Sequence, residues 1–307
     1  IVLHGFDDSA IWLSSASANV TIRHVEVYDN GTVRTNAGLS YAGRPGIALS
    51  GTNITFENVI VHDNGEDSFQ SGGGLADFTL RDSWLYQSRH NPTGGIWNLG
   101  QHPDGIQIFG GAEVSGITVE GCVIGPGFMQ GLLLGQSRYG NPPRYATLHN
   151  VTIQNSLFYG NENANILSQT PPTAMTGWRI QNVTSDRPVG KQWHNVGFTQ
   201  PAGVSGGITV VNSILTGGDY LTVPRGGEYA NNVYWHVAPN PGVVGVEADP
   251  EYADPSAYGS VSLTADFRLK PGSPFVGKGS PIVSASQLVG ADRVLASVKG
   301  PPSSTIP

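Results

Sequence analysis

The chain has 307 residues, with 42 glycines, 21 prolines, 13% charged residues and a formal net charge of −7. That composition suits a turn-rich solenoid with neutral, hydrogen-bonding surfaces, and the negative balance weighs mildly against a polyanionic partner unless the acidic groups lie away from the site that binds it. No apolar stretch is long enough to span a membrane, and the single Cys122 excludes an intramolecular disulfide.

The predicted elements repeat. A thirteen-residue phrase occurs eight times. ANVTIRHVEVYDN starts at Ala18, TNITFENVIVHDN at Thr52, ADFTLRDSWLYQS at Ala76 and SGITVEGCVIGPG at Ser115. HNVTIQNSLFYGN follows at His149, TGWRIQNVTSDRP at Thr176, GGITVVNSILTGG at Gly206 and a degraded YANNVYW at Tyr229. Val20 and Ile22 alternate, then Val25 and Val27 do, so the period of two slips by one residue across Arg23–His24. A strand that turns a corner does this with one residue in the left-handed region, which asparagine tolerates better than most. The expected corner residues are Asn58, Asp82, Asn155, Asn182, Asn212 and Asn232. Corner spacing runs from 20 residues (Asn212 to Asn232) to 39 (Asp82 to Gly121), a bare rung plus loops.

A second strand per rung lies between the phrases. It reads DSAIWLSS from Asp8, PGIALSG from Pro45, DSFQSGG from Asp67 and DGIQIFGG from Asp104. It continues as QGLLLGQ from Gln130, ANILSQ from Ala164, HNVGFTQ from His194 and DYLTVP from Asp219. Together these predict an all-β, single-domain parallel β-helix of about eight or more coils. Alternation in the second strand predicts one outward column of Trp12, Ala48, Gln70, Gln107, Leu133, Leu167 and Gly197. It predicts another of Ala10, Gly46, Ser68, Gly105, Gly131, Asn165 and Asn195. Small and amide side chains would leave a shallow polar floor for an extended sugar chain, with Gln70, Gln107 and Asn165 as substrate contacts; small residues could equally be packing.

Long insertions flank this strand. Residues 29–44, 87–103 and 186–193 lead into it, and residues 136–146 and 170–176 leave it. They are expected to wall a cleft over the floor. Lys191 is the only lysine in the first 269 residues and lies three before His194, which makes it a candidate base or substrate clamp. The plainer alternative is a solvated side chain, or one paired with Asp186. Arg138, Tyr139, Arg144 and Tyr145 share the loop QSRYGNPPRYA, and Arg89, Trp97 and His102 share SRHNPTGGIWNLGQH. Arginine grips carboxylates in pairs of hydrogen bonds and aromatic rings stack on sugars, although each residue could simply tie its loop down. Asp67 and Asp104 hold equivalent corner positions on successive rungs, about 5 Å apart. Such a pair shares a proton, holds a cation (calcium, with Glu66 as a third oxygen donor) or caps its own turns.

The repeat, over residues 7–235, resembles the right-handed parallel β-helix, or pectin-lyase-like, superfamily, and the DFRLKPGSP phrase of the tail resembles the closing segment of secreted bacterial β-helix proteins. The resemblance implies coils over residues 1–237 and a C-terminal capping tail over 238–307. It implies a secreted monomer acting on a polysaccharide, with no nucleic acid or membrane partner. The start at Ile1, directly in coil-like sequence, carries the expectation of a removed signal peptide or cap. Of five N-x-T sequons, at Asn19, Asn30, Asn53, Asn150 and Asn182, three have threonines (Thr21, Thr55 and Thr152) that strand preference in the repeat accounts for. Lyases and epimerases of the superfamily abstract the C5 proton of a uronate. Carried over, Lys191 or His194 would be the base, Arg138 or Arg144 the carboxylate neutraliser, and Tyr139 or Tyr145 the proton donor. The expectation is therefore a polysaccharide lyase for an acidic glycan, needing no cofactor, with calcium as an optional ion. The alternative is an inverting glycoside hydrolase using Asp67 and Asp104, and the third reading is a non-catalytic, glycan-binding or structural β-helix.

Overall fold

Each thirteen-residue phrase folds as two short strands joined at a residue in the left-handed region. In the computed structural model the described residues are 1–35, 38–41, 43–87, 102–109, 113–136, 147–169, 175–186, 194–198, 207–218, 220–222, 227–237 and 245–277. The corner residue has positive φ at His24, Asn58, Asp82, Gly121, Asn155, Asn182, Asn212 and Asn231. The last of these lies one residue before the predicted Asn232. Asn232 instead points inward, is 1% exposed, accepts the Ser213 N–H at 3.0 Å and donates to the Val210 carbonyl at 2.8 Å. In three other rungs the same position belongs to a serine whose hydroxyl accepts a corner N–H from the preceding rung, as Val59 to Ser83, Cys122 to Ser156 and Val183 to Ser213. With two adjacent asparagines, propensity alone could not separate the corner from the buried cap.

The corner conformation makes a direct prediction. Asn58 has φ 57°, so Asn58→Gly is expected to be close to neutral while Asn58→Val loses about 1–2 kcal/mol. Urea denaturation of the two variants checks this, and equal stabilities would contradict it.

Stacked rungs form three parallel sheets. The first runs from Ala18–Arg23 through Gly51–Glu57, Leu75–Arg81, Glu113–Glu120, Thr147–Gln154, Trp178–Gln181 and Ile208–Val211 to Glu228–Ala230. The second follows the corner, from Val2–His4 and Glu26–Tyr28 to Asn232–Trp235 and Gly245–Glu247. The third comprises Ile11–Trp12, Ile47–Ala48, Phe69–Ser71, Ile106–Phe109, Gln130–Gln136, Ala164–Ser168, His194–Phe198 and Tyr220–Thr222. The chain is thus a single-domain, all-β parallel β-helix. The insertion 29–44, expected as a loop, contains an antiparallel pair, Thr32–Thr35 with Gly38–Tyr41. Its length announced an excursion from the coil, but the two β-prone runs TVRT and GLSY are what pair.

Inward side chains from all three sheets meet in one continuous core. Phe69 packs edge-on to Phe56 at 5.0 Å and against Phe78 at 6.0 Å, joining the third sheet to the first. Each such side chain contributes roughly 1.5–3 kcal/mol through burial. Cys122 is 1% exposed and donates to the Glu120 carbonyl; burial pushes its thiol far above the ordinary range, so it is a packed, inert side chain. Asn30 is fully buried and donates to the Tyr28 carbonyl and Asn64 Oδ1, so that sequon has no accessible amide in the folded chain.

After Gly245–Glu247 the chain crosses the outer face of the second sheet. Tyr252, Ala257 and Phe267 pack on Trp84, Val123, Leu157 and Tyr159. The Tyr159 hydroxyl donates to the Ser262 carbonyl at 3.1 Å, and the Gly259 N–H donates to Asp186 Oδ2 at 2.7 Å. Among the described residues, no helix is long and apolar enough to cross a membrane.

Candidate functional site

The third sheet carries the face that the sequence singled out. Its register aligns Trp12, Ala48, Gln70, Gln107, Leu133, Leu167 and Gly197 in one outward column, as alternation predicts. Trp12 is 76% exposed at one end, whereas Leu133 and Leu167 are buried.

The second predicted column corrects the sequence reading. Gly46, Ser68, Gly105, Gly131, Asn165 and Asn195 are all buried, and Ala10 packs against the core. A Cβ on Gly105 would lie 2.8 Å from Ile124, and one on Gly131 would lie 3.1 Å from Phe158, so both positions face inward. The turn into each strand sends two successive residues inward, and alternation starts one residue later. Asn165 is therefore no substrate contact. Its amide donates to Ser185 Oγ and the Asp186 carbonyl at 2.9 Å, and its Oδ1 accepts from Asn161.

The doubled inward step returns the preceding residue to the outer side. Gln70 Nε2, in the outward column, donates to Asp67 Oδ2 at 2.7 Å. Ala164 packs with Leu133 and Leu167. A Cβ on Gly197 would sit 2.4 Å from both Cβ and Cγ of His194. Asp67, Asp104, Gln130, Ala164 and His194 thus form a second column directly beside the first.

Within it, Asp67 and Asp104 are fully buried and have capping partners. Asp67 Oδ1 accepts the Asp104 backbone N–H at 2.7 Å, and Asp104 Oδ1 accepts the Gln130 N–H at 2.9 Å. Each carboxyl closes the turn of the next rung. Gln70 Nε2 also donates to Gln107 Oε1 at 3.1 Å, extending the network across the face. Asp104 Oδ2 and Gln130 Oε1 are buried without a hydrogen-bond partner. Burial raises both carboxyl pKa values well above the ordinary range, seconded by Glu66 at Asp67 and by Asp67 at Asp104; their N–H donors pull the other way. Donors occupy both oxygens of Asp67, so it is the better carboxylate. The donor pattern therefore favours the orphaned oxygen of Asp104 as the place for a shared proton.

Stacked carboxyls stand about 4.8 Å apart along a ladder, below the roughly 6.5–9.5 Å that an inverting glycosidase uses to admit water. Among the described residues, no three His, Cys, Asp or Glu side chains gather to hold a metal ion. His102 is exposed two residues before Asp104. Lys191, Arg138, Tyr139, Arg144, Tyr145, Arg89 and Trp97 lie outside the described residues, as do the loop segments 88–101, 137–146, 170–174 and 187–193 of the expected walls.

Two features escaped the sequence reading. In DSFQ the D-x-x-Q spacing lets the Gln70 amide reach back to the Asp67 carboxyl, whereas in DGIQ the same spacing leaves Asp104 Oδ2 without a partner. Asp186 carried no such signal. It is 1% exposed between the second sheet and the C-terminal segment, accepts from the Thr216 hydroxyl and the Gly259 N–H, and is pushed up to about 7 by burial. No family model matches the chain, and neither a curated protein nor a solved structure is detectably similar to it.

Proposed function

We propose that the outer face of the third sheet binds an extended, uronate-containing polysaccharide and cleaves it by β-elimination, as lyases of the pectin-lyase-like superfamily do. The observation that carries this reading is the pair of adjacent columns. The half-buried Gln70 and the buried Gln107, joined through their amides, line one, and His194 closes the other on a strand end. Stacked rungs repeat such groups at about 4.8 Å, a spacing suited to successive contacts along an extended sugar chain. Arg138, Arg144 and Lys191 belong to loops flanking the same strand in the sequence and supply the positive charge that a uronate requires.

In the reaction, Lys191 or His194 takes the C5 proton, whose electron pair forms the C4–C5 double bond as the C4–O bond breaks. The departing oxygen takes a proton from Tyr139, Tyr145 or water. The arginines neutralise the uronate carboxylate, which makes the C5 proton acidic enough to leave. The protein is read as a secreted monomer on the same resemblance. The carboxylate-pair hydrolase loses ground to this reading, because both aspartates are buried and engaged as turn caps.

The test is a panel of alginate, pectate, glycosaminoglycans and neutral glucans scored for ultraviolet-absorbing unsaturated ends and for reducing ends. Unsaturated ends are expected from an acidic glycan. Loss of the true base should reduce their formation about 100-fold or more, so Lys191→Ala and His194→Gln are compared. New reducing ends without ultraviolet absorbance would show hydrolysis instead.

A further inference from the structure

The geometry points to Gly197 as a positioning residue that seats the His194 imidazole on the floor of the site, making His194 the base; this assignment rests on the lyase reading above. Three separate observations place that ring. First, the register against the next rung shifts between His194, opposite Tyr220, and Gly197, opposite Thr222. His194–Phe198 therefore carries one extra residue there, a bulge of the kind that re-aims a side chain. Second, the space a side chain at 197 would fill is taken by His194, whose Cβ, Cγ and Cδ2 would stand 2.4, 2.4 and 2.8 Å from an added Cβ. Gly197 lies in the outward column after Leu167, so the imidazole lies across that column. Third, the neighbouring Asn195 is locked inside. Its amide donates to the Ser185 and Thr216 carbonyls at 2.9 and 2.7 Å, and its Oδ1 accepts the Ser185 hydroxyl. The clamp below and the vacancy above leave the ring one place to lie.

A glycine at this point of the outward column has no role in the core. It opens the position for a ring anchored three residues earlier. Any larger side chain at 197 must push His194 Cβ, which is close to the backbone and cannot swing away as a side-chain tip would. A base displaced by about 1 Å loses roughly 100-fold in rate, while contacts along Gln70 and Gln107 are untouched.

Gly197→Ala, His194→Gln and the wild-type chain, each checked for cooperative melting, are compared on the acidic glycan that gives unsaturated ends. The expected result is a fall in kcat of about 100-fold for Gly197→Ala with KM nearly unchanged, a shifted pH profile, and loss of activity in His194→Gln. Wild-type kinetics in Gly197→Ala overturn the positioning role while leaving the lyase reading intact. Full activity in His194→Gln overturns His194 as the base. The ring protons of His194, followed by NMR in wild type and Gly197→Ala, report the seating without turnover. A displaced resonance with no unsaturated product from any glycan supports the positioning and rejects the lyase, and an unmoved resonance rejects the positioning.

Discussion

Asp67→Asn is expected to lower the unfolding free energy by about 2–3 kcal/mol, whereas Asp104→Asn leaves it nearly unchanged at pH 5 and raises it at pH 8. The two side chains are equally buried, so burial cannot separate them; the donor pattern does. Asp67 accepts from the Asp104 N–H on one oxygen and from Gln70 Nε2 on the other. An asparagine there must turn an N–H toward a donor. Gln70 cannot correct this by rotating its amide, because that would set its oxygen against Gln107 Oε1, to which it now donates. Asp104 accepts on Oδ1 alone, and Oδ2 has no partner, so an asparagine reproduces its protonated form. The pH dependence follows from the raised pKa values of both carboxyls. The native pair holds more protons than the unfolded chain above the ordinary carboxyl pKa of 3.8. Its stability is therefore complete below that value and declines as pH rises. Asp104→Asn removes part of that decline. Urea denaturation of the three proteins at pH 5 and pH 8 decides the matter, and equal losses in the two variants would refute the assignment of the proton to Asp104.

The rungs were legible because the chemistry of a corner repeats. The left-handed residue is asparagine or aspartate in six of the eight repeats, with His24 and Gly121 in the other two, the alternation slips by one across it, and a serine follows it at Ser83, Ser156 and Ser213. The floor column could be read from Gln70 to Gly197 for the same reason, since parallel register carries one alternation from rung to rung. The column beside it could not. Whether Gly105 and Asn165 point in or out depends on the turn feeding the strand, and that turn sends two residues inward in a row. A single parity error therefore turned Asn165 into a surface group and hid the shared face of Asp67, Asp104 and His194 with Gln70 and Gly197. The stacking of Asp67 on Asp104 was visible from spacing, but its role depended on which backbone N–H groups lay in reach. Asp186 was beyond reach of any local pattern, because its burial comes from a segment more than sixty residues later in the chain.

That segment should dock more tightly in acid than in mild base. Asp186 is 1% exposed, and burial raises its pKa from 3.8 to about 7, against the opposing pull of the Thr216 hydroxyl and the Gly259 N–H. The groups facing it from the C-terminal side are Gly259, the Tyr252 hydroxyl, and beyond it Tyr258 and Asp249; from the second sheet Thr216 faces it. None of these carries a positive charge, so among the described residues only the Thr216 hydroxyl and the Gly259 N–H favour ionisation. With its native pKa raised, the docked state binds the extra proton between pH 3.8 and about 7. The stabilisation is full below that window, is lost as pH rises through it and is constant above it. Measured against a fully solvated carboxyl, the difference across the window is on the order of 4 kcal/mol, of which the docking of the segment accounts for a part. Hydrogen exchange over residues 249–267 is expected to be slower at pH 5 than at pH 8 after correction for intrinsic rates. Asp186→Asn should abolish the difference and keep the segment docked at pH 8, because its amide can donate to Thr216 Oγ1, which then donates to Tyr252, while its oxygen still accepts from Gly259. The opposite result, a variant that keeps the wild-type pH dependence, would place the titrating group elsewhere. The backbone carbonyls of Asp186 and Ser185 also hold Asn165 and Asn195 from the inside, so release of the segment is expected to reach the strand end that carries His194. A pH response of the segment that leaves the His194 resonance unmoved would show that the two faces of the coil are uncoupled.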